Sequence, residues 1–321
     1  MSRFIRPVST LALTGLLASC ATSSGAGGQA GSGDGVSLRF AWPEGFTAQV
    51  SSKTSESQGG NAPQLNERRY EISLERAGQE RKLITRRSPT TGQGSIPEEI
   101  QLPPIPTIVL GPAGELKRIE GTDQVIAELF KDAESQGIPA AQQELLAKLV
   151  GEALEQAARD RWEELLGRWN GLTLKPGEVS ERKGRLTMPL YANSVDTRAR
   201  LALKERVPCT EGTTEKRCVR LSLDSALDPA GTERAGIELV QRMRQFMKAN
   251  SGMPDSELPE VKVTKLQLEG SFELIAEPET LIPHRLRDVL NATIVMQSVE
   301  GETQDFRLQS ERVELFTPGA R

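Results

Sequence analysis

Two cysteines in the second half of the chain have a spacing that indicates their chemistry. Cys209 and Cys218 flank the eight residues TEGTTEKR. Apolar and charged residues alternate over 199–207 and again over 219–223, which predicts two strands joined as a hairpin. The two thiols then face each other at the base of the loop, and we expect a structural disulfide there. A redox-active pair is the alternative, but this pair lacks the C-x-x-C spacing typical of such sites.

The other residues that could support catalysis are few or scattered. His284 is the only histidine in the sequence, which excludes a multi-histidine metal site and leaves little room for histidine-based catalysis. It lies in LIPHRLRD, and we expect it at the surface or at the start of a strand. The acidic pair Glu163-Glu164, like Glu98-Glu99, consists of sequence neighbours whose side chains point apart on a helix or strand. We therefore expect no metal, no cofactor and no enzymatic activity; a hydrolase built from carboxylates of distant segments is the remaining alternative.

The first twenty residues form a targeting pattern. A short cationic start precedes an apolar stretch over residues 8–17 and small residues before Cys20. This pattern is typical of a secretory signal, and its apolar part is too short to span a bilayer. The ending LASC resembles the bacterial lipobox, which implies that residues 1–19 are removed and that Cys20 carries acyl chains. An ordinary signal peptide with Cys20 as a spare thiol is the alternative, but lipidation leaves an even number of cysteines to pair.

The residues after Cys20 predict a tether and a location. Residues 20–36 are rich in Gly, Ser and Ala, which predicts a flexible linker with a reach of roughly 20–24 Å. The lipobox resemblance also implies sorting: with Ala21 after Cys20, it implies the outer membrane, facing the periplasm, with display on the cell surface left open. The formal net charge of −4 gives no electrostatic reason to bind nucleic acid. The acyl anchor is therefore the expected membrane contact.

Alternating hydrophobicity outside two helical blocks predicts about ten to twelve strands, joined mostly by hairpins into a largely antiparallel sheet. The apolar positions are odd at Val261 and Val263 but even from Leu266 onward, which predicts a β-bulge between them. Residues 52–64 are rich in Ser, Gly, Asn and Gln and predict a loop.

The first helical block is predicted over about 123–169 with a break at 137–139, and the second over 232–250. The apolar stripe of the first block rotates around the helix, so either a curved sheet wraps it or the helix breaks near Gly151. Apolar side chains of both blocks are candidates for contacts with a hydrophobic ligand or a partner, with ordinary core packing as the alternative. These candidates are Trp162, Trp169, Met243, Phe246 and Met247.

The combined pattern predicts an α+β fold, with a curved, mainly antiparallel, half-barrel-like sheet. We expect one domain over 37–321, with a long helical insertion at about 122–170 and a second helix packed on the sheet. The segment LQLEGSFELIAEPETLIPHRLR (266–287) is similar to a strand–turn–strand passage of the lipoprotein-carrier half-barrels of the LolA and LolB type. This resemblance implies a concave face, partly filled by helices, that receives an acyl chain or a hydrophobic partner. The chain is longer than those carriers, with a larger helical block and the additional cysteine hairpin, and no binding residue carries over.

These observations lead to a functional expectation. We expect a non-enzymatic, membrane-anchored periplasmic lipoprotein that binds a hydrophobic, lipid-like ligand or an envelope protein partner. A structural scaffold or assembly factor of the cell envelope, docked through the helical block, is the alternative, and a carboxylate-based hydrolase ranks below both.

Overall fold

The computed structural model describes residues 35–87, 105–131, 139–187, 194–251, 254, 258 and 260–319. Within them the chain forms an antiparallel sheet of eleven strands, curved and not closed, together with three helices. This confirms the predicted α+β class and half-barrel-like sheet. The strands of this sheet are β2 (Thr47–Gln58), β3 (Gln64–Ala77), β4 (Glu80–Arg87), β5 (Thr107–Leu110), β6 (Leu116–Glu120), β8 (Val179–Thr187), β9 (Ser194–Val207), β10 (Cys218–Leu227), β11 (Val261–Ala276), β12 (Pro283–Ser298) and β13 (Thr303–Pro318).

The strand order is β6-β5-β4-β3-β2-β13-β12-β11-β10-β9-β8, so neighbours in the sheet are mostly neighbours in sequence. The exception is the pairing of β13 with β2, which joins the two ends of the chain in the middle of the sheet. Strands β6 and β8 form its two edges. Two short strands, β1 (Val36–Ser37) and β7 (Thr173–Leu174), pair with each other outside this sheet.

The long polar strands show where sequence reasoning succeeds and fails. The pairing of β11 with β12 shifts between Val263 and Lys265, which confirms the predicted bulge. The predicted loop over 52–64 is wrong for most of its length, because β2 continues to Gln58 and β3 begins at Gln64; residues 59–63 alone connect the two strands. Backbone pairing with β13 on one side and β3 on the other holds this polar stretch extended, although it lacks an apolar stripe.

The helices are α1 (Thr122–Phe130), α2 (Ala140–Trp162) and α3 (Thr232–Ser251). Helix α2 does not break at Gly151, where a Cβ atom would lie 2.9 Å from Cδ1 of Ile126; this glycine allows α1 and α2 to approach closely. A π-helical turn, Glu163–Gly167, follows α2 directly. None of the described helices combines the length and the low polarity that a membrane-spanning segment needs.

The helices pack on one face of the sheet, here called the inner face. A main hydrophobic cluster joins this face to the π-helical turn and to the extended segment that follows β1. In that segment Leu38, Phe40 and Trp42 are buried, and the Trp42 indole donates a hydrogen bond of 3.0 Å to the carbonyl oxygen of Leu281. Other members of the main cluster are Ile72, Leu74, Leu166, Trp169, Leu201, Leu221, Phe272 and Leu286.

Candidate functional site

A strip of small and charged residues crosses the inner face and divides its apolar side chains into two clusters. We call it the polar seam and define it as Ser225, Gly270, Asp288, Arg312 and Glu314. On each strand it interrupts an apolar row, as where Asp288 of β12 lies between the buried Leu286 and Leu290. Leu286 belongs to the main cluster and Leu290 to a second cluster.

The end of α2 places further charged side chains against the polar seam. The π-helical turn contains a backbone hydrogen bond of 3.3 Å from the Arg168 amide to the Glu163 carbonyl. Four consecutive residues of this turn, Glu163 to Leu166, are buried, so protein surrounds it on all sides. Its leucines belong to the main cluster. The side chains of Glu163 and Glu164 are buried beside the polar seam, and we call the buried charged groups of the seam and of the end of α2 the buried layer.

One buried network joins α2, β3 and β13. Arg161 Nη1 lies 2.7 Å from Glu314 Oε2, and its Nη2 donates a 2.8 Å hydrogen bond to the Tyr70 hydroxyl. The Tyr70 hydroxyl in turn donates a 2.8 Å bond to Glu314 Oε1. Each of these polar groups is thus held by partners from distant parts of the chain, as buried charges require.

Arg312 links this network to β12 and to the π-helical turn. Its Nη2 lies 2.6 Å from Glu164 Oε1 and 3.4 Å from Asp288 Oδ2, while its Nη1 lies 3.6 Å from Glu314 Oε1. A single guanidinium therefore serves three buried carboxyl groups. Removal of this cation would leave those carboxylates uncompensated in the protein interior.

Burial and neighbouring charges shift the pKa values of these carboxyl groups in different directions. Burial opposes the charge of Glu314, but Arg161 and Arg312 outweigh it and hold the pKa of Glu314 below its ordinary value. Burial raises the pKa of Asp288 to about 7, against the attraction of Arg312. Burial also raises the pKa of Glu163 to about 7, although Arg168 opposes this. Two buried carboxyl groups therefore change charge near neutral pH.

The buried layer contains more acidic than basic groups. Its cations are Arg161, Arg168 and Arg312, and its carboxyl groups are Asp160, Glu163, Glu164, Asp288 and Glu314. This excess adds to the effect of burial, since Asp160 raises the pKa of Glu163 and Glu164 raises that of Asp288. An anionic ligand would be repelled here, and the low exposure of Glu163 (8%) and Asp288 (2%) gives a substrate no direct access to either carboxyl group.

Beyond the polar seam lies a second hydrophobic cluster, which we call the α3 cluster. Its buried members are Val195, Ala235, Leu239, Leu266, Leu268, Leu290, Ala292, Ile294 and Leu308, and Leu227, Val263, Met296 and Phe306 are partly buried against it. Helix α3 provides Ala235 and Leu239 and covers the strands. A Cβ atom on Gly236 of α3 would lie 3.3 Å from Cβ of Val263 on β11, so the helix and the strand are in close contact.

The predicted contact residues divide between the two clusters. Trp169 is fully buried in the main cluster, stacks on Phe272 at 6.2 Å and donates a hydrogen bond to the Glu164 carbonyl. Trp162 packs at the edge of the same cluster and donates to the Gly114 carbonyl. Met243 is buried and Met247 partly buried, both on α3. The side chain of Phe246 and the whole of Cys20 lie outside the described residues.

Sequence reasoning missed the buried layer, although one signal for it was present. Along β13 the inward positions run Leu308, Ser310, Arg312, Glu314 and Phe316, so polar residues occupy the middle of an otherwise apolar row. Charged residues at inward positions between apolar ones indicate buried ion pairs. The partners on α2 had no comparable signal.

The cysteine hairpin forms as predicted. Cys209 and Cys218 are joined by a disulfide, with Cα atoms 5.0 Å apart, between the end of β9 and the start of β10. His284 lies at the start of β12, as expected, but its side chain is only 10% exposed. Its Nε2 lies 3.4 Å from Oε1 of Glu277.

An open groove of about 820 Å³ runs over strands β8 to β12. Both acidic and basic side chains line it, including Glu181, Arg200, Asp224 and Glu269. Arg200 and Glu181 already pair at 3.0 Å. This mixture offers no field of one sign for a charged ligand.

Comparison with known proteins finds no family model and no curated protein that matches the chain.

Proposed function

We propose that the chain is a non-enzymatic, lipid-anchored protein of the bacterial envelope that binds a hydrophobic ligand between α3 and the inner face of the sheet. The α3 cluster is the observation that carries this proposal. It is an apolar layer separated from the main cluster by the polar seam, and within the described residues α3 is the helix that covers it. A ligand could therefore replace α3 on these strands without exposing the main cluster to water.

The contacts of α3 support its role as a movable cover. Among its described side chains, the helix contributes one small and one large residue, Ala235 and Leu239, to the buried part of the cluster. Its ion pair to α2, between Arg242 and Glu152 at 3.0 Å, is partly exposed and contributes about 0–1 kcal/mol. The methionines Met243 and Met247 provide flexible apolar surface that adapts to ligands of varied shape.

The N-terminal pattern supports an anchored location for this binding protein. The lipobox-like sequence at Cys20 provides the acyl anchor and the tether. The tether joins the body at β1, which pairs with β7 near the main-cluster end of β9. Val195 in the α3 cluster and Leu203 in the main cluster are separated along β9 by roughly 26 Å, at about 3.3 Å per residue. The anchor therefore leaves the α3 cluster unobstructed.

Native mass spectrometry of residues 21–321, exported to a periplasm and purified without detergent, tests this proposal. We expect an added mass that matches a lipid. The variant Gly236→Cys/Val263→Cys should form a disulfide that locks α3 onto β11, since these Cβ positions are close to the separation a disulfide needs. The locked chain should carry no lipid.

A matched control contains a disulfide that leaves α3 free. Gln297→Cys/Thr303→Cys joins residues that face each other in the β12–β13 hairpin. This variant should bind lipid like the native chain. The same lipid content in both disulfide variants, or no lipid in any of them, would refute the proposed site.

Partner docking is the second candidate function, and the first half of α2 favours it. Leu145, Leu146, Leu149 and Val150 remain only partly buried on this helix, and Leu129 of α1 is 45% exposed. A photocrosslinker at position 149, compared with one at the exposed Lys148, should capture a specific envelope protein if this surface docks one. Identical products at both positions would argue against docking.

A further inference from the structure

The surroundings of the disulfide contain a third potential metal ligand. The Sγ atoms of Cys209 and Cys218 and a ring nitrogen of His284 lie within 4.8 Å of one another. Cys209 follows β9 by two residues, Cys218 begins β10 and His284 lies at the start of β12. Val207 and Ile275 form a small hydrophobic cluster with the two cysteines. Once the disulfide is reduced, two cysteine thiolates and an imidazole this close together are a ligand set typical of Zn²⁺.

We propose that reduction of the Cys209–Cys218 disulfide creates a binding site for a thiophilic divalent cation such as Zn²⁺, with His284 as the third protein ligand. A tetrahedral zinc ion holds two thiolates at about 2.3 Å each, which places their sulfur atoms about 3.8 Å apart. The Cα separation of 5.0 Å permits this spacing after side-chain rotation. The ring of His284 is already next to both sulfur atoms and needs only a small approach.

Glu277 provides the supporting carboxylate. Its Oε1 lies 3.4 Å from Nε2 of His284, and its Oε2 accepts a 2.9 Å hydrogen bond from the Thr280 hydroxyl. A carboxylate beside a metal-binding histidine orients the ring and raises its basicity. The turn that bears Glu277 is fixed by a backbone hydrogen bond of 2.8 Å from Leu281 to the Glu277 carbonyl, so the carboxylate is held in place before any metal binds.

The chemistry makes the site dependent on the oxidation state. A dithiol reductant transfers two electrons and two protons to the disulfide, which yields two cysteine thiols and the oxidised reductant. Binding of Zn²⁺ then replaces both thiol protons, which are released to water. In the oxidised protein the sulfur atoms carry no negative charge, so His284 alone cannot hold the ion. The two cysteines thus form a disulfide when oxidised and, together with His284, a metal site when reduced.

Cobalt titration of the full chain carrying Cys20→Ser tests this inference, because only the pair in question then contributes thiols. The protein is reduced with a phosphine under anaerobic conditions, the phosphine is removed, and Co²⁺ is added. We expect one Co²⁺ per chain, with a thiolate-to-cobalt absorption band in the near ultraviolet that Zn²⁺ abolishes. The oxidised chain is the matched control and should show no band.

Two variants test the assigned ligands. His284→Ala should weaken Co²⁺ binding by more than tenfold, and Glu277→Gln should weaken it by about tenfold, as is usual for partners of a metal-binding histidine. Circular dichroism of each reduced sample reports whether the strands persist.

Three results would overturn the inference. The first is a reduced chain that remains folded and shows no thiolate band. The second is an unchanged affinity in His284→Ala. The third is a reduced chain that unfolds and does not refold when the metal is added. The lipid-binding proposal is unaffected by any of them, since it concerns the opposite end of β9.

Discussion

Replacement of Glu163 by glutamine tests the electrostatics of the buried layer. Glu163 lies in the π-helical turn, is 8% exposed, and its Oε2 has no hydrogen-bond partner within the described residues. The charged groups that act on it are Arg168, which favours the carboxylate, and Asp160, which opposes it. Glutamine keeps the shape of the side chain and removes its titration.

The expected magnitude follows from the raised pKa. Burial moves the pKa of Glu163 from 4.5 to about 7 in the folded protein. A pKa difference of one unit between the folded and unfolded states corresponds to about 1.4 kcal/mol, so the raised pKa contributes about 3 kcal/mol to the free energy of unfolding when Glu163 is protonated. Because the folded-state pKa is the higher one, this stability is present below pH 4.5 and is lost as the pH rises through 7. Most of the loss falls between pH 5 and pH 8.

Urea denaturation at pH 5 and pH 8.5 measures this effect. Glu163→Gln should become more stable relative to the native chain by about 2–3 kcal/mol as the pH rises, because glutamine stays neutral. Glu155→Gln, on the exposed side of α2, is the matched control and should show one constant difference at both pH values. A Glu163→Gln difference that does not change with pH, or that changes in the opposite direction, would refute the assignment of burial as the cause.

Three further predictions concern stability and are measured by the same denaturation assay. Arg312→Met should lower the free energy of unfolding by about 3–5 kcal/mol, because it leaves buried carboxylates without their cation. Arg307→Met, at an exposed ion pair, should change it by no more than about 0.5 kcal/mol, and equal losses in the two variants would contradict the burial argument. Replacing Cys209 and Cys218 by serine should lower the free energy of unfolding by about 3 kcal/mol, and a loss below about 1 kcal/mol would show that the disulfide does not stabilise the hairpin. Gly151→Leu should lower the free energy of unfolding by about 1–3 kcal/mol, because the larger side chain forces α1 away from α2. An unchanged urea midpoint would show that the two helices are not in tight contact at this position.

Local periodicity explains which parts of the fold were predictable. The alternation on either side of Cys209 and Cys218 predicts both the hairpin and the disulfide, because strand pairing across a short loop leaves few other registers. The parity change between Val263 and Leu266 predicts the bulge for the same reason. Each of these features depends on residues close together in sequence, so the pattern itself contains the information.

Tertiary pairing decides the features that local patterns describe wrongly. Residues 52–58 have the composition of a loop, yet they form part of a strand because β13 supplies its backbone partners from the other end of the chain. The sequence favours core packing over ligand contact for Trp162 and Trp169, but it does not say where they pack; the π-helical turn buries Trp169 in the main cluster and leaves Trp162 at its edge. Composition does not reveal a partner more than two hundred residues away.

Short-range order of apolar, polar and special residues was enough to predict the helical blocks, the cysteine pairing and most of the strands, and the same kind of pattern leads to the expectation of an anchor at Cys20. The contact of Glu164 with Arg312 across 148 positions, and that of Tyr70 with Glu314 across 244, follow from the folded chain alone. Buried charges are tolerated only where such partners converge, and that convergence is a property of the folded sheet. The polar seam, and the separate α3 cluster it creates, therefore exist only in the assembled fold.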